Sequence, residues 1–144
     1  MNHVVIVTYS PNQMGQFRYL GPYQVAWYVR QHGFNAQVLD FLCWMTPQQR
    51  MNLYKKYISE DTKILGFAPF VTTKNLVNSG AEARQTRVED DKVFEILNEI
   101  KQEFPWLKII IGGPLAENFE RMPINYIDCK IEALFKGQGE YTFL

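Results

Sequence analysis

Lys108-Ile109-Ile110-Ile111-Gly112-Gly113-Pro114 is an apolar, β-branched run that stops on a glycine-rich turn, and Glu132-Ala133-Leu134-Phe135-Lys136-Gly137-Gln138-Gly139-Glu140 repeats that design further on. A third run of the same kind, Ile64-Leu65-Gly66-Phe67, leads into Ala68-Pro69-Phe70-Val71-Thr72-Thr73. In a parallel α/β sheet such turns lie at the carboxyl edge of the strands, where ligands bind. Glycine at these turns lets backbone N–H groups approach a bound group with no Cβ between them. Three turns of this type describe a wide, shallow cleft, not a site built around one catalytic side chain.

Working outward, Val4-Val5-Ile6-Val7-Thr8 is continuously apolar, the pattern of a strand buried on both faces. Pro22 fits the first turn of a helix running to Gln31, with Val25, Ala26, Val29 and Tyr28 inward and Gly33 as its stop. Ala36-Gln37-Val38-Leu39-Asp40 is a second strand. Pro47 opens a helix with Met51, Tyr54, Tyr57 and Ile58 inward and Lys55, Lys56 and Glu60 outward. Val93, Ile96, Leu97 and Ile100 recur at helical spacing, placing a third helix over about 89–103, and a short helix is expected over 117–121. The polar segment 74–91, broken at Asn78-Ser79-Gly80, is expected to be the least ordered part, a lid.

Alternating strands and helices specify an α/β fold, a three-layer α/β/α sandwich around a five-stranded parallel sheet. The flavodoxin-like order 2-1-3-4-5 is the expected topology. Residues 1–144 read as one domain, long enough to bury a proper core. Glu140-Tyr141-Thr142-Phe143-Leu144 looks like a helix beginning, so a longer parent chain is expected.

Composition removes several classes. Fifteen basic and fifteen acidic residues cancel, leaving no global field to attract nucleic acid or an anionic membrane. A hydrophobic fraction of 47% argues against disorder, and no apolar run approaches the roughly 18 residues of a membrane span. The start carries no signal-peptide pattern, and the two cysteines read as reduced thiols, so a cytoplasmic setting is expected.

Strand polarity prunes the candidate chemistry. His3 and His32 fall at the amino edge and are expected to be plain surface residues; Cys43 and Cys129 fall at opposite edges, too far apart for a disulfide. No spacing supplies three convergent metal ligands, and no pair of acids is placed for general acid–base work. Phospho-receiver chemistry lacks its acids, since Tyr9-Ser10 and Phe67-Ala68-Pro69 stand where they are needed. A flavin-phosphate loop would have to be made from Thr8, Ser10 and Gly15 around Pro11, and no G-x-G-x-x-G joins a strand to a helix. Of the aromatic residues between Phe17 and Trp44, about two in three are expected in the core or in helix packing. Phe67 and Phe70 are expected to face the cleft as an apolar ledge suited to a large flat ligand.

The ordered set of an apolar first strand, Leu20-Gly21-Pro22, Gln31-His32-Gly33, Val38-Leu39-Asp40, Ile64-Leu65-Gly66-Phe67 with Thr72-Thr73, Ile109-Ile110-Ile111-Gly112-Gly113-Pro114 and Phe135-Lys136-Gly137-Gln138-Gly139-Glu140 resembles the N-terminal cobalamin-binding domain of B12-dependent radical S-adenosylmethionine enzymes. The resemblance spans nearly the whole chain. It implies a flavodoxin-like domain with cobalamin across the turns after strands one, three, four and five. The loop containing Ser10, Asn12, Gln13 and Gly15 would lie nearest the cobalt. Thr72 and Thr73 would bond corrin amides or the nucleotide tail, Gly112, Gly113 and Pro114 would give the tail room, and Gly137, Gln138, Gly139 and Glu140 would close the far side.

Two departures shape what the resemblance implies. The D-x-H-x-x-G motif of methionine-synthase-like B12 domains is missing, so cobalamin would be base-off without a protein histidine. The C-x-x-x-C-x-x-C cluster motif is missing too, so the iron–sulfur cluster and S-adenosylmethionine would belong to a radical domain outside these residues, acting in cis or in trans. The chain alone would be a non-catalytic binding domain. A flavodoxin-like interaction module that has lost its cofactor, and a small FMN or nucleotide binder, stay open as alternatives.

Overall fold

The structure, a computed structural model, describes residues 1–9, 20–69, 95–113 and 131–135. Five strands, β1 (Val4–Tyr9), β2 (Ala36–Leu39), β3 (Ile64–Pro69), β4 (Lys108–Gly112) and β5 (Ile131–Phe135), form one sheet in the order β2-β1-β3-β4-β5. Every neighbouring pair is parallel, with Ile6 opposite Val38 and Gly66, and Gly66 opposite Ile110. This is the flavodoxin-like topology expected from the sequence. Strand order reverses between β1 and β3, which makes the crevice above their carboxyl ends the topological switch point.

Both faces of the sheet are covered, which is why its strands read as unbroken apolar runs. On one face Val5, Val7, Leu39, Leu65, Phe67, Ile109 and Ile111 pack with Tyr54 of α2 (Pro47–Tyr57) and Ile58 just beyond it. Ile96, Leu97 and Ile100 join them from helical residues 95–103, here α3. On the other face Val4, Ile6, Ala36 and Val38 meet Ala26 and Val29 of α1 (Leu20–Gln31). The period-two split of β1 between the two clusters gives the three layers directly.

Local chemistry sets the helix ends. Thr46 caps α2 in a reciprocal box: its hydroxyl accepts from the Gln49 N–H at 3.3 Å, and its own N–H donates to Gln49 Oε1 at 2.9 Å. At the end of α1, Gly33 adopts φ +85°, a conformation that disfavours a Cβ. There the Gly33 N–H reaches the Arg30 carbonyl and the Phe34 N–H reaches that of Val29, so two end-of-helix carbonyls are satisfied.

Some expectations are corrected. β3 continues through Ala68 to Pro69, residues expected in the following turn; proline is tolerated because the strand ends there. Of the described early aromatics, Trp27, Phe34 and Trp44 are exposed, while Tyr23, Tyr28 and Phe41 are partly buried and Tyr23 packs against the core cluster beneath α1. The proposed lid, the short helix over 117–121, Cys129 and the chain end lie outside the described residues.

Candidate functional site at the carboxyl edge

The carboxyl edge gathers the ends of all five strands, and β4 ends there on two glycines. Gly113, just past β4, has φ +106°, and a Cβ built there would meet no atom of the described residues within 4 Å. A Cβ on Gly112 would touch only the Phe135 Cβ, at 3.9 Å. Among the described residues, the two glycines thus form a side-chain-free turn beside the end of β5.

Of the other residues assigned to the site, only Phe67 is described. It is 1% exposed and belongs to the core on the α2/α3 face, opposite Val7 and Ile111 in the sheet. It does not form a ledge at the cleft: at its place in β3 the side chain falls on the covered face. Ser10, Asn12, Gln13, Gly15, Phe70, Thr72, Thr73, Pro114, Gly137, Gln138, Gly139 and Glu140 lie outside the described residues.

The sequence reading missed a polar knot at this edge. Asp40, immediately after β2, accepts on Oδ1 from the Thr8 hydroxyl and, at 3.1 Å, from the Phe41 N–H; its Oδ2 accepts from the Tyr23 hydroxyl at 3.1 Å. Thr8 is 1% exposed and Asp40 half-buried. Among the described residues its donors are two hydroxyls and a backbone N–H, with no ion-pair partner. Phe41 sits at φ +62°, the one described residue other than glycine in the left-handed region. Such a conformation costs on the order of 1 kcal/mol and persists only where neighbours hold it. The signal was present as a hydroxyl and an acid ending two adjacent strands.

A second missed group lies between α2 and α3. Arg50, buried, donates from Nε to Glu99 Oε2 at 3.0 Å and from Nη2 to Glu99 Oε1 at 2.5 Å. It also reaches Glu95 Oε1 at 2.9 Å and the Met45 carbonyl at 3.0 Å. The hydrogen bond to Glu99 raises the guanidinium pKa further against the opposing effect of burial. Tyr54, four residues on, is fully buried with its hydroxyl unpartnered among the described residues. Burial, with Glu99 beside it, pushes the phenol well above its ordinary range, and the Arg50 charge pulls weakly the other way. An arginine four positions before a core tyrosine lies on the same helix face, which was the readable clue.

The histidines are where strand polarity put them. His3 accepts the Asn35 N–H on Nδ1 at 3.0 Å and His32 faces the Tyr28 carbonyl at 2.9 Å, both exposed at the amino edge. Among the described residues no group of three histidine, cysteine or acidic side chains could hold a metal ion, and no helix is long and apolar enough to cross a membrane. Compared with known proteins, the chain matches no protein-family model, no curated protein and no solved structure.

Proposed function

We propose that this chain is a cobalamin-binding domain and that it serves a radical S-adenosylmethionine enzyme whose cluster-binding part lies elsewhere, in cis or in trans. The observation that carries the reading is the Gly112–Gly113 turn at the carboxyl edge of a 2-1-3-4-5 parallel sheet, free of side chains among the described residues. A large ligand needs backbone that it can pass over closely, and two consecutive glycines offer that. Gly112 and Gly113 are the described residues that would pass the tail. The remaining contacts, Ser10 to Gln16, Thr72-Thr73 and Gly137 to Glu140, rest on the resemblance alone.

Bound cobalamin would supply methyl transfer or assistance to a radical step, chemistry that belongs to the cofactor. This chain's part is to hold and orient it. With both histidines at the amino edge, no described imidazole is placed to ligate at the cleft. A nucleotide reading would enlist the acid after β2 for a ribose hydroxyl. Asp40 is poorly suited to that role, because three of its four acceptor positions are already taken by Thr8, Phe41 and Tyr23.

A ligand panel tests the reading. Isothermal titration against hydroxocobalamin, FMN and ATP should give saturable one-to-one binding for hydroxocobalamin alone. Binding of FMN or ATP in its place would move the chain to the nucleotide class. No binding by any of the three would favour the interaction module.

A further inference from the structure

We propose that Arg30 and Gln37 hold the β2 edge of the sheet shut against a second copy of this chain. Among the described residues β2 is an edge strand, with β1 on one side and no strand on the other. The Val4 N–H donates to the Asn35 carbonyl at 3.1 Å, and Ala36 and Gln37 stand in register with Val4 and Val5. Successive residues of a strand point their peptide groups to opposite sides, so Asn35, Gln37 and Leu39 present theirs to β1. Ala36 and Val38 therefore turn their N–H and carbonyl groups outward, the template that an added strand needs.

Both outward carbonyls are already taken. Arg30, in the last turn of α1, donates to the Ala36 carbonyl from Nε at 3.0 Å and from Nη2 at 2.6 Å. Gln37 Nε2 donates to the Val38 carbonyl at 2.9 Å. The left-handed turn at Gly33 makes the first contact possible, since it sends the chain back past the end of α1 and brings Ala36 beside Arg30. The guanidinium bond is charge-assisted. Both covers are intramolecular, so neither gives up the translational freedom that an incoming strand must lose.

The length of β2, four residues, specifies what the covers exclude. Two copies related by a twofold axis at Gln37 would lie antiparallel, with Ala36 of each opposite Val38 of the other. Such pairs exchange both N–H···O bonds, so the pairing consumes the Ala36 and Val38 carbonyls of each copy. Those are the acceptors that Arg30 and Gln37 occupy. No part of this depends on what the carboxyl edge binds.

Sedimentation velocity over a range of concentrations, with amide hydrogen exchange at Ala36 and Val38, tests the covers in the full chain. Arg30→Ala combined with Gln37→Ala removes both. Lys56→Ala removes an exposed positive charge from α2 without touching the edge. Arg30→Ala combined with Gln37→Lys uncovers the Ala36 carbonyl but sets a charge on the strand, which blocks pairing by another route. The double alanine variant should self-associate at least tenfold more tightly than wild type. Its Ala36 and Val38 amides should exchange at least tenfold more slowly as protein concentration rises. Lys56→Ala and the combination with Gln37→Lys should match wild type in both readouts, and Gln37→Ala alone should fall between. Association no tighter than wild type in the double alanine variant, or in Gln37→Ala should the double variant not fold, would overturn the proposal. So would tighter association that leaves the Ala36 and Val38 amides unprotected, because the copies would then meet at another surface.

Discussion

The guanidinium of Arg50 on α2 forks onto both carboxylate oxygens of Glu99 on α3, at 3.0 Å and 2.5 Å, with the arginine side chain 9% and the glutamate 18% exposed. This bidentate pair joins the two helices that cover one face of the sheet. Its fourth hydrogen bond, to the Met45 carbonyl, also holds the turn that leads into α2. Glu95, half exposed, adds a weaker contact from the previous turn of α3.

Removing the arginine should therefore cost far more than removing its outer partner. Arg50→Ala leaves the Glu99 carboxylate partly desolvated and unpaired, so urea unfolding should report a loss of about 3 kcal/mol. Glu95→Gln touches a solvent-screened pair and should cost under about 1 kcal/mol. Comparable losses in the two variants would mean that the Glu99 fork is not what joins the helices.

Tyr54 gives the pH dependence. Its folded-state pKa is raised, first by burial and then by Glu99, so the folded chain keeps a proton that the unfolded chain releases near pH 10. The stabilisation is complete below that unfolded value and is lost as pH climbs through it toward the folded-state value. Unfolding free energy should fall steeply above about pH 10. Tyr54→Phe should flatten part of that fall and be neutral or stabilising by up to about 1 kcal/mol at pH 7, since it deletes a buried hydroxyl without a partner. An unchanged alkaline limb in Tyr54→Phe would assign the loss to other groups.

Gly113 and Gly33 form a matched pair for testing the turn after β4. Both have positive φ, +106° and +85°, and neither would meet an atom of the described residues within 4 Å if given a Cβ. Alanine at either site should cost about 1 kcal/mol through backbone strain alone. Only Gly113 lies at the carboxyl edge, so Gly113→Ala should weaken cobalamin binding while Gly33→Ala leaves it unchanged. Gly113→Val should weaken it more than tenfold, about 1.4 kcal/mol. Equal affinities in the two alanine variants would take the ligand off the β4 turn.

The framework was legible because burial on both faces writes itself as unbroken apolar runs such as Val4 to Val7, and because Pro47 and Gly33 mark helix ends at positions where a general residue is disfavoured. The topology followed from the alternation of these runs. Phe67 was misread because a residue's place near a turn does not reveal the face of the strand it occupies; its pairing with Val7 and Ile111 does. Trp27 stands exposed on the side of α1 that the periodicity of Val25, Ala26 and Val29 leaves outward. The Asp40 knot and the Arg50 fork escaped notice for a related reason. Each joins residues more than fifteen positions apart, Thr8 to Asp40 and Arg50 to Glu99 among them, and no local pattern encodes such a meeting.

Electron paramagnetic resonance of cob(II)alamin with the protein in slight excess tests the central claim most directly. Both histidines stand at the amino edge, so the account predicts a bound, base-off Co(II) signal with no superhyperfine splitting from a nitrogen ligand. A spectrum unchanged from free cob(II)alamin, or one split by an axial imidazole of the protein, would contradict it.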